Sequence, residues 1–233
     1  MAEARMRTPS SGRDAAWLVG ADLLAVALAF VGQILLAHAL LAEHYGWMVL
    51  AIDLYASLFL IIDLGLPTLI ARDGTRAPEL VPLAVWRSYR WQALVAVPFL
   101  LLALLARPEQ WLNVHAPAVL LILAGLVALV HVASYAPRSA LRVLGEARLE
   151  AITKVVERGT TVLLYGVLTW QGSSSAAAFT GAFLVGATTG WALALFWAMR
   201  VAPPPQGAVE WDRLGNIWST NGQLLAAALP FAI

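Results

Sequence analysis

Long apolar stretches separated by short polar connectors dominate the chain, and the stretches have the length of membrane-spanning helices. A spanning α-helix needs about 20 predominantly apolar residues. Six stretches meet that length, at Trp17–Leu41, Gly46–Ile70, Ala84–Ala106, Pro117–Pro137, Ala151–Trp170 and Ala176–Met199. A seventh stretch begins near Ile217 and is still apolar at Ile233.

This pattern predicts an all-α fold, a polytopic membrane bundle of six spans followed by a truncated seventh. Residues 1–16 are expected to form a polar cytoplasmic tail, and residues 17–201 the six-helix bundle. A cytoplasmic linker is expected at 202–216, because the run Pro203–Pro205 cannot continue a helix. Residues 217–233 are then the start of helix seven, so we expect the chain to be truncated within this helix.

The composition agrees with a membrane protein and excludes several kinds of site. Hydrophobic residues make up 61% of the chain and charged residues 12%, about half the charged fraction of soluble domains. The absence of cysteine excludes disulfides and thiolate metal sites, and a net charge of +1 gives no basis for nucleic-acid binding. The four histidines lack metal-ligand spacing, and no catalytic motif is found. We therefore expect no enzymatic activity, metal or cofactor.

The distribution of basic residues predicts the orientation of the bundle. Cytoplasmic loops of membrane proteins carry an excess of Lys and Arg. Fourteen of the fifteen basic residues fall in the tail, in the even-numbered connectors or at the adjoining ends of the spans. Only Arg107 lies on the opposite side. The N-terminus is therefore predicted to be cytoplasmic, in a multi-pass protein.

Three carboxylates inside the apolar stretches are candidate coupling or charge-balancing groups. The second stretch has thirteen Leu, Ile, Val and Phe residues, which favour insertion by roughly 6 kcal/mol, whereas Asp53 and Asp63 together cost about 5–7 kcal/mol. These carboxylates are therefore expected to face other helices or a wet cavity. Asp22 lies at a depth similar to that of Asp63, so the two can share a proton or a cation. Asp53 is expected near the level of Gln33.

Cations of the fifth stretch are candidate substrate-binding groups. Glu150, Lys154 and Arg158 follow four-residue spacing, which places them on one helix face. One interpretation is that the charges pair with one another or that the long side chains reach the membrane surface. The other is that Arg158 and Lys154 face a cavity, with Arg142 at its entrance.

Two further features concern helix geometry. Gly65 and Pro67 weaken helical pairing directly after Asp63, so they either end the second helix or form a hinge. Ala182, Gly186 and Gly190 recur at four-residue spacing in the sixth stretch. Small residues at this spacing predict a face of close helix packing.

Three motifs of the chain resemble those of one known family of membrane proteins. The first is "LLAEHYGWMVLAIDLYASLFLIIDLGLPTLIAR" at Leu40–Arg72, with a short outer loop and "DLGL" before a basic residue. The second is "ALRVLGEARLEAITKVVERGTTVLLYGVL" at Ala140–Leu168, a basic start of helix five. The third is "LLAAALPFAI" at Leu224–Ile233, similar to the start of helix seven.

These motifs resemble those of polysaccharide biosynthesis proteins, the Wzx-type flippases of O-antigen or exopolysaccharide. The resemblance implies the N-terminal half of a transporter in the group that includes MATE exporters, with two six-helix halves around a central cavity. It implies that the protein moves a polyprenyl-diphosphate-linked oligosaccharide across the bacterial inner membrane by alternating access. Its partners would be this lipid-linked oligosaccharide, membrane lipids, and the polymerase and glycosyltransferases of the same glycan. Two alternatives stay open: a MATE-like exporter of small cations, in which Asp53 and Asp63 bind substrate, and a non-transporting membrane assembly subunit.

Overall fold

The computed structural model describes residues 11–63, 65–75, 77–105 and 117–203, and within these ranges the chain folds as α-helices without strands. A single 3-10 turn, Pro78–Leu80, precedes the fourth helix. The prediction of an all-α fold is confirmed. The helices are α1 (Ser11–Ala39), α2 (Ala42–Asp63), α3 (Leu66–Asp73), α4 (Val81–Leu105), α5 (Ala118–Val143), α6 (Ala147–Trp170) and α7 (Ala176–Val201).

Three helices of the described ranges are long and apolar enough to cross a membrane: Gly12–Ala39, Ala118–Val143 and Ala176–Val201. Helix α6 has a comparable length of 24 residues but contains several charged side chains. These helices identify a membrane protein. The total of six spans and the cytoplasmic N-terminus stay predictions. Most of the predicted linker (residues 202–216) and the seventh span (residues 217–233) lie outside the described residues.

The structure divides the predicted span Gly46–Ile70 into α2 and α3, so of the two alternatives left open for Gly65 and Pro67 it has the helix end. Gly65 separates the two helices with φ 67°, a left-handed conformation that glycine adopts without steric cost. Pro67 lies in the first turn of α3, where the missing backbone N–H would have no helical partner in any case. The pair Gly65 and Pro67 therefore marks a helix end followed by a new start.

The predicted end of the fourth span at Pro137 is wrong, because α5 continues through this proline to Val143. A proline inside a helix removes one backbone hydrogen bond, and packing of the flanking turns offsets this loss. Residues on both sides of Pro137 are buried, among them Ala136 and Ala140. Three residues separate the end of α5 from the start of α6. Among them Gly145 takes φ 75°, and its N–H donates to the carbonyl of Arg142 at 3.2 Å.

The helices pack in an arrangement in which α5 contacts the most other helices, namely α2, α3, α4, α6 and α7. Helix α1 lies along α6, α5 and α6 both pack against α7, and α2 packs on α5. The predicted close-packing face of α7 is confirmed: an added Cβ at Gly186 would lie 2.0 Å from Thr161 Oγ1, and one at Gly190 would lie 2.7 Å from Glu157 Cβ. Glycine at both positions therefore lets α7 approach the charged face of α6.

Candidate functional site

A cleft of about 130 Å³ opens between α1, α2 and α6. Its wall is largely apolar and includes Met48 and Tyr165. Its polar lining includes Gln33 of α1, Asp53 of α2 and Arg158 of α6. A cation and an anion thus face the same space at the junction of three helices.

Arg158 reaches the cleft beside an aromatic ring rather than beside a carboxylate. Its guanidinium carbon lies 5.6 Å from the ring centroid of Phe183 on α7. A cation over an aromatic face is attracted by the electron density of the ring. Within the described ranges Arg158 forms no ion pair, so its charge is available to an anion that enters the cleft.

Gln33 of α1 and Asp53 of α2 line the same cleft as Arg158. The hydroxyl of Tyr45 donates a hydrogen bond of 2.6 Å to Oε1 of Gln33, which links α2 to α1. Asp53 is exposed within the cleft. The cleft therefore offers one fixed amide and one carboxylate.

Lys154 and Arg142, the other two predicted substrate-binding cations, are engaged with carboxylates. Glu150 is fully buried and accepts hydrogen bonds from Arg142 Nε at 3.0 Å and Nη2 at 2.5 Å. Lys154 Nζ lies 2.8 Å from Asp22 Oδ1 and 3.6 Å from Glu150 Oε1. The predicted single stripe on α6 is therefore split, since Glu150 faces α5 and Arg158 faces the cleft.

The expected sharing of a proton or cation between Asp22 and Asp63 is replaced by a different contact. Helix α1 packs along α6 rather than along α2, so Asp22 binds Lys154. Asp63 is the last residue of α2 and does not line the cleft. Its Oδ1 is buried and has no hydrogen-bond partner among the described residues.

A second buried cluster joins α5 to α6 and escaped the sequence analysis. Glu157 accepts a short hydrogen bond from Arg138 Nη2, and its other oxygen lies 2.9 Å from His131 Nε2. Phe183 contacts the His131 ring edge to face at 5.2 Å, so one aromatic ring touches both this cluster and Arg158.

Helical spacing carries a signal for this cluster. His131 and Arg138 lie seven residues apart and therefore on one face of α5, and Glu150 and Glu157 share one face of α6 in the same way. A short turn at Gly145 brings the two faces together as an antiparallel hairpin. The sequence analysis predicted a helix end at Pro137, so it did not place Arg138 on the same helix as His131 and did not predict this pairing.

The chain matches the family described as "Polysaccharide biosynthesis protein" over residues 11–209. No curated protein and no solved structure matches it. The match includes α1 to α7 and most of the sequence. The apolar helices and the family match together make this chain a membrane protein of the polysaccharide biosynthesis protein family.

Proposed function

We propose that the protein translocates a polyprenyl-diphosphate-linked oligosaccharide across the bacterial inner membrane for the synthesis of a cell-surface polysaccharide. One observation carries this proposal: Arg158 lies on a cleft between three helices without a carboxylate partner in the described ranges. Ionisable residues at membrane depth are costly, and those that persist typically face a cavity or a transport pathway. An unpaired guanidinium there is suited to an anionic cargo.

The chemistry of the cargo requires such a group. A diphosphate with attached sugars cannot cross hydrocarbon unaided, because its charges and hydroxyls would lose their hydration. Arginine is the residue best suited to phosphate, since its planar guanidinium donates two parallel hydrogen bonds. The cleft of about 130 Å³ is smaller than a typical ligand site of 300–1,000 Å³. We propose that it receives the phosphate portion while the sugars lie outside it.

Asp53 is proposed to balance the charge of Arg158 when no cargo is bound. Arg142 is half-exposed, so we propose it as the first contact for the anionic head group. Lys154 stabilises α1 against α6 through Asp22 and can exchange this partner for a phosphate. Asp63 is proposed to take up the coupling cation or proton, because one of its oxygens is buried without a partner in the described part of the chain. Movement would follow alternating access, with one half of the full transporter rocking against the other.

Complementation tests this function. We expect the full-length gene to restore surface polysaccharide in a flippase-deleted strain, and Arg158→Gln to lower the polymer at least tenfold at an equal level of protein in the membrane. Arg158→Lys keeps the charge but loses bidentate binding, so it should restore part of the activity. Arg90→Gln is the matched control, because Arg90 is exposed on α4 and lies outside the cleft. Full activity of Arg158→Gln would refute the assignment.

Asp53 supports a second candidate function, the export of small cations, because its carboxylate is exposed within the cleft. In that case Asp53→Asn abolishes resistance to cationic compounds, and Arg158→Gln leaves it unchanged or raises it. Polysaccharide production and drug resistance, measured in the same strains, separate the two functions.

A further inference from the structure

A groove runs between α1 and α6 on the outer surface and is separate from the cleft. The two helices are parallel, because the contacts Trp17–Arg148 and Gly32–Tyr165 advance in the same direction along both segments. The groove has a volume of about 560 Å³. It therefore has a defined direction, from the side on which both helices begin towards the membrane interior.

The interior of the groove is apolar and open. Helix α1 contributes Trp17, Gly20 and Leu24, and α6 contributes Ile152 and Val155. A Cβ added at Gly20 would meet no atom within 4 Å, so the glycine leaves the groove unfilled at this point. The surface is suited to a hydrocarbon chain.

Both α1 and α6 have an arginine near the N-terminal end, and this end is the mouth of the groove. Arg13 of α1 lines the groove directly. Arg148 of α6 lies with its guanidinium carbon 5.4 Å from the ring centroid of Trp17. Within the described ranges neither arginine forms an ion pair. Asp14, next to Arg13 in the chain, is not among the residues that line the groove, and Asp22 further along α1 is paired with Lys154. The mouth of the groove is therefore cationic, on the side predicted to be cytoplasmic.

The length of the groove corresponds to one leaflet of a bilayer. Arg13 and Leu24 are eleven residues apart, which is about 16 Å along a helix. Half of the hydrocarbon core is about 15 Å. Further along, α1 packs closely on α6 at Gly32, since an added Cβ there would lie 3.6 Å from both Tyr165 and Val162. The groove therefore matches a lipid of one leaflet in length, with a cationic mouth for the head group and an apolar interior for an acyl chain.

We propose that this groove binds one anionic phospholipid, with its phosphate between Arg13 and Arg148 and an acyl chain along Gly20 towards Leu24. Basic groups at the cytoplasmic interface attract anionic lipids by about fivefold in affinity per Lys or Arg. The lipid covers the α1–α6 seam from the bilayer side and is not the transported cargo. The proposal is independent of the proposed function, because it concerns a different surface and a different ligand.

Native mass spectrometry of the delipidated full chain tests the site. The probes are phosphatidylglycerol and phosphatidylcholine with identical acyl chains, so only the head-group charge differs. We expect one phosphatidylglycerol to bind at least tenfold more tightly than phosphatidylcholine. The Arg13→Gln/Arg148→Gln variant should remove this preference, whereas Arg90→Gln should retain it.

A second pair of variants tests the apolar part. Gly20→Leu fills the groove and should weaken both lipids at least fivefold, whereas Gly166→Leu adds the same side chain to α6 at another open position and should weaken neither. Equal binding of the two lipids by the wild-type chain would refute the anionic head group. Unchanged lipid binding by Gly20→Leu would refute the groove. A dimer that dissociates in Gly20→Leu while lipid binding persists would assign the groove to a second copy of the chain and overturn the proposal.

Discussion

Glu157→Gln is expected to destabilise the bundle strongly, because it removes the counter-ion of a buried arginine. The Glu157 side chain is 3% exposed and that of Arg138 is 12% exposed. The Arg138 guanidinium has little access to water, so it would lose its counter-ion while staying largely buried. Removing one partner of a buried ion pair typically costs about 3–5 kcal/mol of unfolding free energy. We expect a loss in this range.

Glu150→Gln provides the matched comparison on the same helix. Glu150 is fully buried, but the side chain of its partner Arg142 is 55% exposed. The freed guanidinium can therefore turn into water, and Lys154 still has Asp22 as a partner. We expect a loss of only about 1–2 kcal/mol, the range between an exposed ion pair and a charged hydrogen bond.

Equilibrium unfolding in mixed dodecylmaltoside and dodecylsulfate micelles measures both losses, with the fluorescence of the ten tryptophans as the signal. A third variant, Arg138→Met/Glu157→Met, removes both charges and should recover most of the stability lost in Glu157→Gln. The reasoning is refuted if Glu157→Gln and Glu150→Gln agree within 0.5 kcal/mol, or if the double variant is less stable than Glu157→Gln alone.

Two predictions about glycines use the same unfolding measurement. Gly186→Ala should cost about 1–3 kcal/mol, because its new Cβ would lie 2.0 Å from Thr161 Oγ1 and overpack the α6–α7 contact. Gly181→Ala is the control on α7, because an added Cβ at this position meets no atom within 4 Å. The better helix propensity of alanine should leave stability unchanged or raise it by up to about 1 kcal/mol. Equal losses at Gly186 and Gly181 would contradict the packing argument. Gly65→Ala should cost about 1–2 kcal/mol, because φ 67° is strained for a residue with a Cβ; an unchanged midpoint would show that the left-handed turn is not required.

Helix existence was predictable from the sequence because the bilayer leaves the backbone few alternatives. In hydrocarbon every N–H and C=O must be bonded within the segment, so an apolar stretch of sufficient length forms a helix. Helices α5 and α7 follow this rule. The residues at which a helix begins and ends depend on local packing and are harder to predict. Pro137 is accommodated because its neighbours are buried, whereas Gly65 ends α2 through its left-handed conformation. Both residues are helix breakers in sequence, and only the surrounding contacts distinguish them.

Charge pairing was predictable within a helix and between consecutive helices joined by a short turn, but not between helices far apart in the chain. Spacing identified the charged face of α6, yet the partner of each charge depends on which helix lies opposite. The expectation that Asp22 meets Asp63 assumed that consecutive helices are neighbours throughout. Since α1 packs along α6, Asp22 instead binds Lys154, which is 132 positions away in the chain. Sequence proximity carries no information about such a contact.

The adjacent pair Glu157 and Arg158 explains how an unpaired cation can be held in place at the cleft. Consecutive residues on a helix point about 100° apart. Glu157 therefore faces α5, where Arg138 and His131 bind it, and also contacts α7 at Gly190. Arg158 faces the cleft. A binding group is effective when its supporting element is rigid. The buried cluster fixes the α6 backbone one residue away from Arg158, and Phe183 contacts both His131 and the Arg158 guanidinium.

Glu157→Gln should consequently lower transport even at temperatures at which the bundle stays folded, because Arg158 would lose its fixed position. Normal transport by a folded Glu157→Gln protein would show that the two charges act independently.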